Sequence, residues 1–96
     1  MTLSDRAKDL ALTFTSWASV TGSAGEVEFA ARLLESLTGF DKSWLQKIAG
    51  DSFGRSNVFA LKRGRSSRTI VLTGHFDVVP VENYGSLQGL AFDPLK

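Results

Sequence analysis

The sequence has no cysteine, one histidine, one methionine and two prolines among its 96 residues. Without cysteine, the chain can form neither a disulfide framework nor a thiolate metal site. With a single histidine, it cannot supply the several imidazoles on which many zinc sites depend. The lack of disulfides is compatible with a reducing compartment.

Strong charge and long apolar runs are also missing. The net charge is only +1, which gives no general electrostatic reason to expect a nucleic acid or a membrane surface as a partner. No apolar run approaches the roughly 20 residues that a membrane-spanning helix needs. The first six residues lack the basic and then apolar order of a signal peptide. We therefore expect a cytoplasmic protein.

The composition is that of a globular protein, with 43% hydrophobic and 22% charged residues. The length predicts one small domain or a part of a larger one. A chain of this size lies near the lower limit for a self-sufficient core.

Apolar residues at helical spacing predict two amphipathic helices in the first 40 residues. The first is expected from about Asp5 to about Ser19, capped by Ser4. The second is expected to begin at a capping box formed by Ser23 and Glu26 and to end at Gly39. Each helix has one apolar stripe, so each is expected to pack on another element.

The second half of the chain reads as strands followed by a loop. Strands are expected around 45–49, at 57–62 and at 69–73, and the last is a β-branched apolar run typical of a central strand. Residues 81–96 read as a loop with turn signals. The fold class predicted is α/β, with two helices, then two or three strands, then a loop.

Two other kinds of site find little support. The basic turn at 62–68 could suggest nucleic-acid binding, but no aromatic partners or known module accompany it, so a solvated loop is the better interpretation. The chain also lacks the nucleophile elbow of serine hydrolases and a phosphate-binding loop.

The most informative stretch is Thr73-Gly74-His75-Phe76-Asp77-Val78-Val79-Pro80, which follows the apolar run. It places an imidazole and a carboxylate two residues apart after a predicted strand, where open α/β sheets bind ligands. A neutral imidazole is a common zinc ligand, and its second nitrogen needs a partner that fixes the ring. His75 is thus a candidate metal ligand and Asp77 its partner. From the spacing alone, an ordinary hydrogen-bonded histidine and a turn-capping aspartate remain an open alternative.

The longer stretch from Leu72 to Pro80 resembles the first metal-binding motif of the co-catalytic zinc metallopeptidase and amidohydrolase family. That family includes acetylornithine deacetylase, succinyl-diaminopimelate desuccinylase, aminoacylase and glutamate carboxypeptidase. Upstream, 19–26 is similar to the family's inter-helix segment and 54–58 to its entry into a strand. Residues 82–87 and 90–94 are similar to the arginine-utilisation, RocB-like branch.

The resemblance implies that His75 binds one of two zinc ions and that the catalytic carboxylate Asp77 orients it. The family's bridging aspartate, paired glutamates, later acidic ligand and final histidine have no match in this sequence. Glu82 and Asp93 are not assigned to the site, because a loop residue and an Asp-Pro turn are their better interpretations.

The resemblance further implies that residues 1–96 are an amino-terminal part of a three-layer α/β/α zinc-peptidase-like catalytic domain, incomplete at the carboxyl end. The whole protein would hydrolyse peptide or N-acyl amino acid bonds with metal-activated water, and a second domain could make a homodimer. The chain alone is expected to be inactive. The alternative is a non-catalytic truncated homologue that serves as a structural or protein-interaction module.

Overall fold

A computed structural model describes residues 1–96 as a small α/β fold. Its elements in chain order are α1 (Leu3–Thr15), α2 (Ala24–Ser36), β1 (Lys42–Lys47), β2 (Ser56–Leu61) and a 3-10 helix (Glu82–Leu90). No helix combines the length and the apolar character that crossing a membrane would require.

Helix α1 begins earlier and ends earlier than predicted. Thr2, not Ser4, is its N-cap: the Asp5 amide donates to the Thr2 hydroxyl over 3.1 Å, and the Thr2 amide donates to the Asp5 carboxylate over 3.0 Å. The helix stops at Thr15, where two hydroxyl groups also donate to carbonyls of the last turn, an arrangement that slightly weakens a helix. Thr15 donates to the Ala11 carbonyl over 2.7 Å, and Ser16 to the Thr13 carbonyl over 2.6 Å.

Helix α2 begins where the sequence predicts, with Ser23 as its N-cap. The Glu26 amide donates to the Ser23 hydroxyl over 3.3 Å. The reciprocal half of the predicted capping box is not formed, because the Glu26 carboxylate accepts instead from the Gly22 amide over 2.7 Å. Glu26 therefore ties the helix to the turn that precedes it. The helix ends at Ser36, short of Gly39.

The sheet consists of β1 and β2, which pair antiparallel from Lys42 with Leu61 to Lys47 with Ser56. Both strands lie within three residues of their predicted positions. Strand β1 begins before the predicted 45–49, because Lys42 already pairs with Leu61 of β2. It ends at Lys47, before the turn at Gly50. The Trp44 and Phe59 rings stack across the pair, with centroids 5.2 Å apart. Helix α2 packs on this sheet.

The predicted strand at 69–73 is wrong. These residues have no ladder partner, and Ile70, Val71 and Leu72 are 86%, 79% and 92% exposed. Their apolar, β-branched pattern favours an extended chain, but a strand also needs a neighbour for its amide and carbonyl groups. After β2, the only β-type pairing is an isolated parallel bridge between Val78 and Val20.

The predicted loop at 81–96 contains the 3-10 helix, so that prediction is also corrected. Short-range bonds build it, such as the one from the Tyr84 amide to the Val81 carbonyl over 3.0 Å. A kink falls at Gly85, which has φ of 56° and so needs a residue without a side chain. The predicted turn at Asp93-Pro94 is confirmed: the Asp93 carboxylate accepts from the Leu95 amide over 3.3 Å.

The core is a cluster of four aromatic rings centred on Phe29, which is 6% exposed. Phe29 lies against Phe14 and Trp17 at 5.8 and 5.3 Å and stacks on Phe76 at 4.9 Å, nearly parallel. The carboxyl-terminal segment approaches this cluster and leaves an apolar cleft of about 310 Å³ beside it. The cluster thus connects both helices to the His75 stretch.

Much apolar surface lies outside this core. The accessible surface is 7750 Å², against about 5,400 Å² for a compact monomer of this mass. The radius of gyration is 15.7 Å, against about 12.5 Å for a compact chain of this length. Stability therefore depends on a few contacts, chiefly those of Phe29.

Replacing Phe29 by alanine should strongly destabilise the chain. Truncating a buried phenylalanine costs about 3–5 kcal/mol, and here all three ring contacts are lost at once. Urea unfolding followed by circular dichroism should show a much lower midpoint or no cooperative transition. Phe40→Ala is the control, since Phe40 is 44% exposed and surface changes alter stability by roughly 0.5 kcal/mol or less. Equal midpoints for the two variants would contradict the central role of Phe29.

Replacing Gly25 by alanine should disrupt the start of α2. A Cβ atom at Gly25 would overlap the carbonyl oxygen of Ala18, and backbone atoms cannot move aside as a flexible side chain does. Gly64→Ala is the matched control, because a Cβ there meets nothing within 4 Å. Thermal unfolding should show a lower melting temperature for Gly25→Ala only; the same loss in both variants would argue against a specific overlap.

Candidate metal-binding site

The candidate site is built where two distant segments, 19–21 and 76–78, lie side by side. The Val78 amide donates to the Ser19 carbonyl over 3.0 Å, and the Thr21 amide donates to the Val78 carbonyl over 2.9 Å. The Ser19 hydroxyl, 2% exposed, donates to the Phe76 carbonyl. These bonds hold the backbone of the motif on both sides of Asp77.

His75 and Asp77 are brought together as the sequence predicts. His75 Nδ1 lies 3.2 Å from Asp77 Oδ1 and 3.1 Å from the Asp77 carbonyl oxygen. Both neighbours are acceptors, so Nδ1 carries the proton and the lone pair of the neutral ring lies on Nε2. The His75 side chain is 85% exposed. The arrangement therefore offers an accessible Nε2, while Asp77 fixes the tautomer of the ring through Nδ1.

Asp77 is held in its ionised form by its neighbours. The Thr21 hydroxyl donates to Asp77 Oδ2 over 2.8 Å. This hydrogen bond, opposed by partial desolvation and assisted by His75, holds the pKa of Asp77 below its ordinary value of 3.8. Asp77 is thus an anion at neutral pH and can accept the Nδ1 proton of His75.

A second polar group lies next to this pair and is organised by Arg55. The Arg55 guanidinium binds Asp51 with Nε at 3.1 Å and Nη2 at 2.7 Å from Oδ1, and its amide donates to Asp51 Oδ2 over 2.7 Å. Its Nη1 lies 3.9 Å from Glu26 Oε1. The pKa of Asp51 is lowered to about 2, mainly by the Arg55 side chain. Arg55 therefore joins the entry of β2 to the start of α2.

The pair and the Arg55 group share one open groove of about 860 Å³. Strand β2 lines one part of it and residues 69–77 line another. Within the chain no set of three or more histidine, aspartate or glutamate side chains is placed to hold a metal ion. What the structure offers to a cation is one imidazole with a supporting carboxylate.

The sequence nominates His75 and Asp77 as candidates, and it gives no sign of the contacts that Ser19, Thr21 and Arg55 make around them. Ser19 and Thr21 come from a segment noted only as an inter-helix connection, 56 or 57 residues from the groups they bind. No local pattern encodes such a contact. Arg55 and Asp51 are four residues apart in a turn, a spacing that indicates pairing only on a helix.

Two curated proteins of Bacillus subtilis (strain 168) are similar to this chain. Protein RocB is 31% identical over 102 residues, which cover 97% of this chain and 18% of RocB. The uncharacterized protein YqjN is 36% identical over 94 residues, which cover 91% of this chain and 17% of YqjN. The chain thus spans less than a fifth of the length of these relatives and has a distant RocB-like relationship. No protein-family profile matches it, and the search of solved structures found no match.

The ion pair between Asp51 and Arg55 should make stability depend on pH in acid. Because the pKa of Asp51 is lowered to about 2 on folding, its contribution is complete above the unfolded value near 3.8 and disappears as the pH falls through 2. Urea unfolding at a series of pH values should therefore show a steeper fall between about pH 4 and pH 2 in the wild type than in Asp51→Asn. Glu35→Gln, which removes an exposed carboxylate, should keep the wild-type slope. Parallel curves for wild type and Asp51→Asn would show that the pair does not act in the folded state.

Proposed function

We propose that this chain is part of the catalytic domain of a RocB-like zinc-dependent peptidase or amidohydrolase, in which His75 is a metal ligand. The observation that carries the proposal is the orientation of His75. Its Nδ1 donates to Asp77, 3.2 Å from Oδ1, and this leaves the Nε2 lone pair for a cation. A metal-bound histidine commonly donates its other N–H to a carboxylate in this way.

The chemistry of the donor set fits one corner of such a site. Nε2 of His75 would bind the zinc ion, and ionised Asp77 would accept the proton on Nδ1 and so keep the imidazole in that orientation. When bound, zinc lowers the pKa of a water molecule and polarises a substrate carbonyl. A second carboxylate or imidazole beside His75 is not present, so we place the remaining ligands and the general base in other parts of the whole protein.

The exposed apolar surface supports a larger domain. Ile70, Val71 and Leu72 are almost fully exposed, and a β-branched apolar run of this kind is typical of a strand covered on both faces. In the proposed protein, other parts of a three-layer α/β/α domain cover this run. A second domain serves dimerisation.

The substrate class proposed is a peptide or N-acyl amino acid. The relationship to RocB supports a role in amino-acid catabolism connected with arginine utilisation. His75 and Asp77 alone supply neither a proton acceptor for the attacking water nor a second metal ligand. The chain by itself should therefore bind zinc weakly and hydrolyse nothing.

Titration of the ¹⁵N-labelled chain with Zn²⁺ tests the ligand assignment. Because His75 is the only histidine, the imidazole spectrum contains one pair of nitrogen signals. We expect the Nε2 signal to shift with weak, saturable binding, while Nδ1 keeps its proton. His75→Ala should abolish the specific binding, which calorimetry measures independently. Shifts at Nδ1 alone, or equal binding by His75→Ala, would contradict the proposal.

Incubation of the purified chain with dipeptides and N-acyl amino acids in the presence of Zn²⁺ tests whether the remaining ligands and the general base lie outside these residues. We expect no turnover, because the general base is absent. Turnover that His75→Ala abolishes would show that the 96 residues contain a complete site. The coding sequence after the Lys96 codon separates an enzyme from a non-catalytic module: further acidic ligands and a late histidine support the enzyme.

A further inference from the structure

Thr21 makes a contact with the candidate site that the proposed function does not use. Its hydroxyl donates to Asp77 Oδ2 over 2.8 Å, while His75 Nδ1 lies 3.2 Å from the other oxygen, Oδ1. The two oxygens of one carboxylate are thus divided between a hydroxyl and an imidazole. A carboxylate held at one oxygen cannot rotate freely about its last torsion, so the other oxygen stays in place for the ring.

The hydroxyl proton of Thr21 has two acceptors within reach. The Val78 carbonyl lies 3.1 Å from Thr21 Oγ1, farther than Asp77 Oδ2. The carboxylate is charged, and hydrogen bonds to charged acceptors are roughly twice as strong as neutral ones. The Val78 carbonyl already accepts from the Thr21 amide over 2.9 Å. Asp77 is therefore the favoured acceptor of the hydroxyl.

Thr21 is itself fixed, so it can impose its geometry on Asp77. Two hydrogen bonds hold its backbone: the Thr21 amide donates to the Val78 carbonyl, and the Val78 amide donates to the Ser19 carbonyl. The next residue, Gly22, has φ of 77° and donates its amide to Glu26. A β-branched side chain also has few χ1 rotamers. The backbone that carries the hydroxyl is therefore held by Val78 on one side and, through Gly22, by Glu26 of α2 on the other.

We propose that Thr21 is a positioning residue, which orients the Asp77 carboxylate so that His75 keeps its proton on Nδ1 and presents Nε2 to a cation. The inference rests on the proposed function for the identity of the cation. Its first part, the control of the His75 tautomer by Thr21 through Asp77, concerns only residues of this chain and can be measured without metal.

The test uses Thr21→Val, which keeps the β-branched shape and the backbone amide but removes the hydroxyl. Thr21→Ser is the matched control, because it keeps the hydroxyl and loses only a methyl group. The ¹⁵N signals of the single imidazole are recorded without metal, at a pH where the ring is neutral. Wild type and Thr21→Ser should show the Nδ1–H tautomer. Thr21→Val should shift toward the mixture measured for the chain unfolded in urea.

Zn²⁺ titration gives the second readout. Changing groups that support a metal ligand typically lowers metal affinity 10–100-fold. Since Thr21 acts through Asp77, we expect a loss of roughly tenfold in Thr21→Val, at the low end of that range, and wild-type affinity in Thr21→Ser. Circular dichroism of each variant establishes that the fold is retained. If Thr21→Val does not fold, Thr21→Ala provides a smaller hydroxyl-free side chain for the same measurements.

The outcomes separate this inference from the proposed function. A wild-type tautomer in a folded hydroxyl-free variant overturns the role of Thr21, even if Zn²⁺ still binds at Nε2. Loss of the tautomer in Thr21→Ser as well shows that side-chain shape, rather than the hydroxyl, is responsible, and it also overturns the proposal. A tautomer change without any Zn²⁺ binding by the wild type supports the role of Thr21 and contradicts the metal ligand.

Discussion

Two backbone hydrogen bonds to Val78, one from its amide to Ser19 and one to its carbonyl from Thr21, connect the first and last thirds of the chain. Around them, the Ser19 hydroxyl holds the Phe76 carbonyl and the Thr21 hydroxyl holds Asp77. The Phe76 ring stacks on Phe29 of α2, so the same short segment is anchored by backbone pairing and by aromatic packing. His75 has no anchor of its own beyond Asp77. Its position depends on this segment.

The features that the sequence predicts correctly are local ones. Ser23 caps α2 because its hydroxyl meets an amide three residues ahead. His75 and Asp77 meet because they are two residues apart on a backbone held on both sides. The contacts that the sequence does not predict join Thr21 to Asp77 and Arg55 to Glu26. They depend on how separate elements pack, which no spacing rule contains.

The strand predicted at 69–73 shows a different kind of error. A β-branched apolar run indicates a chain that favours extension and burial. Whether it forms a strand depends also on a neighbouring segment that can accept and donate its backbone hydrogen bonds. In the structure β2 pairs only with β1, and β2 and residues 69–77 both line the open groove. The first helix shows the same limit: it ends at Thr15 although the apolar spacing continues beyond that residue.

The long separation between Ser19 and Phe76, 57 residues along the chain, has a consequence for synthesis. At a translation rate of about 5–20 residues per second, Ser19 leaves the ribosome roughly 3–11 seconds before its partner. Helix α2 and the β1–β2 hairpin, whose contacts are local, have time to form in that interval. Residues 19–21 can then bind residues 76–78 when these leave the ribosome. The imidazole geometry thus forms only after these local elements can have formed.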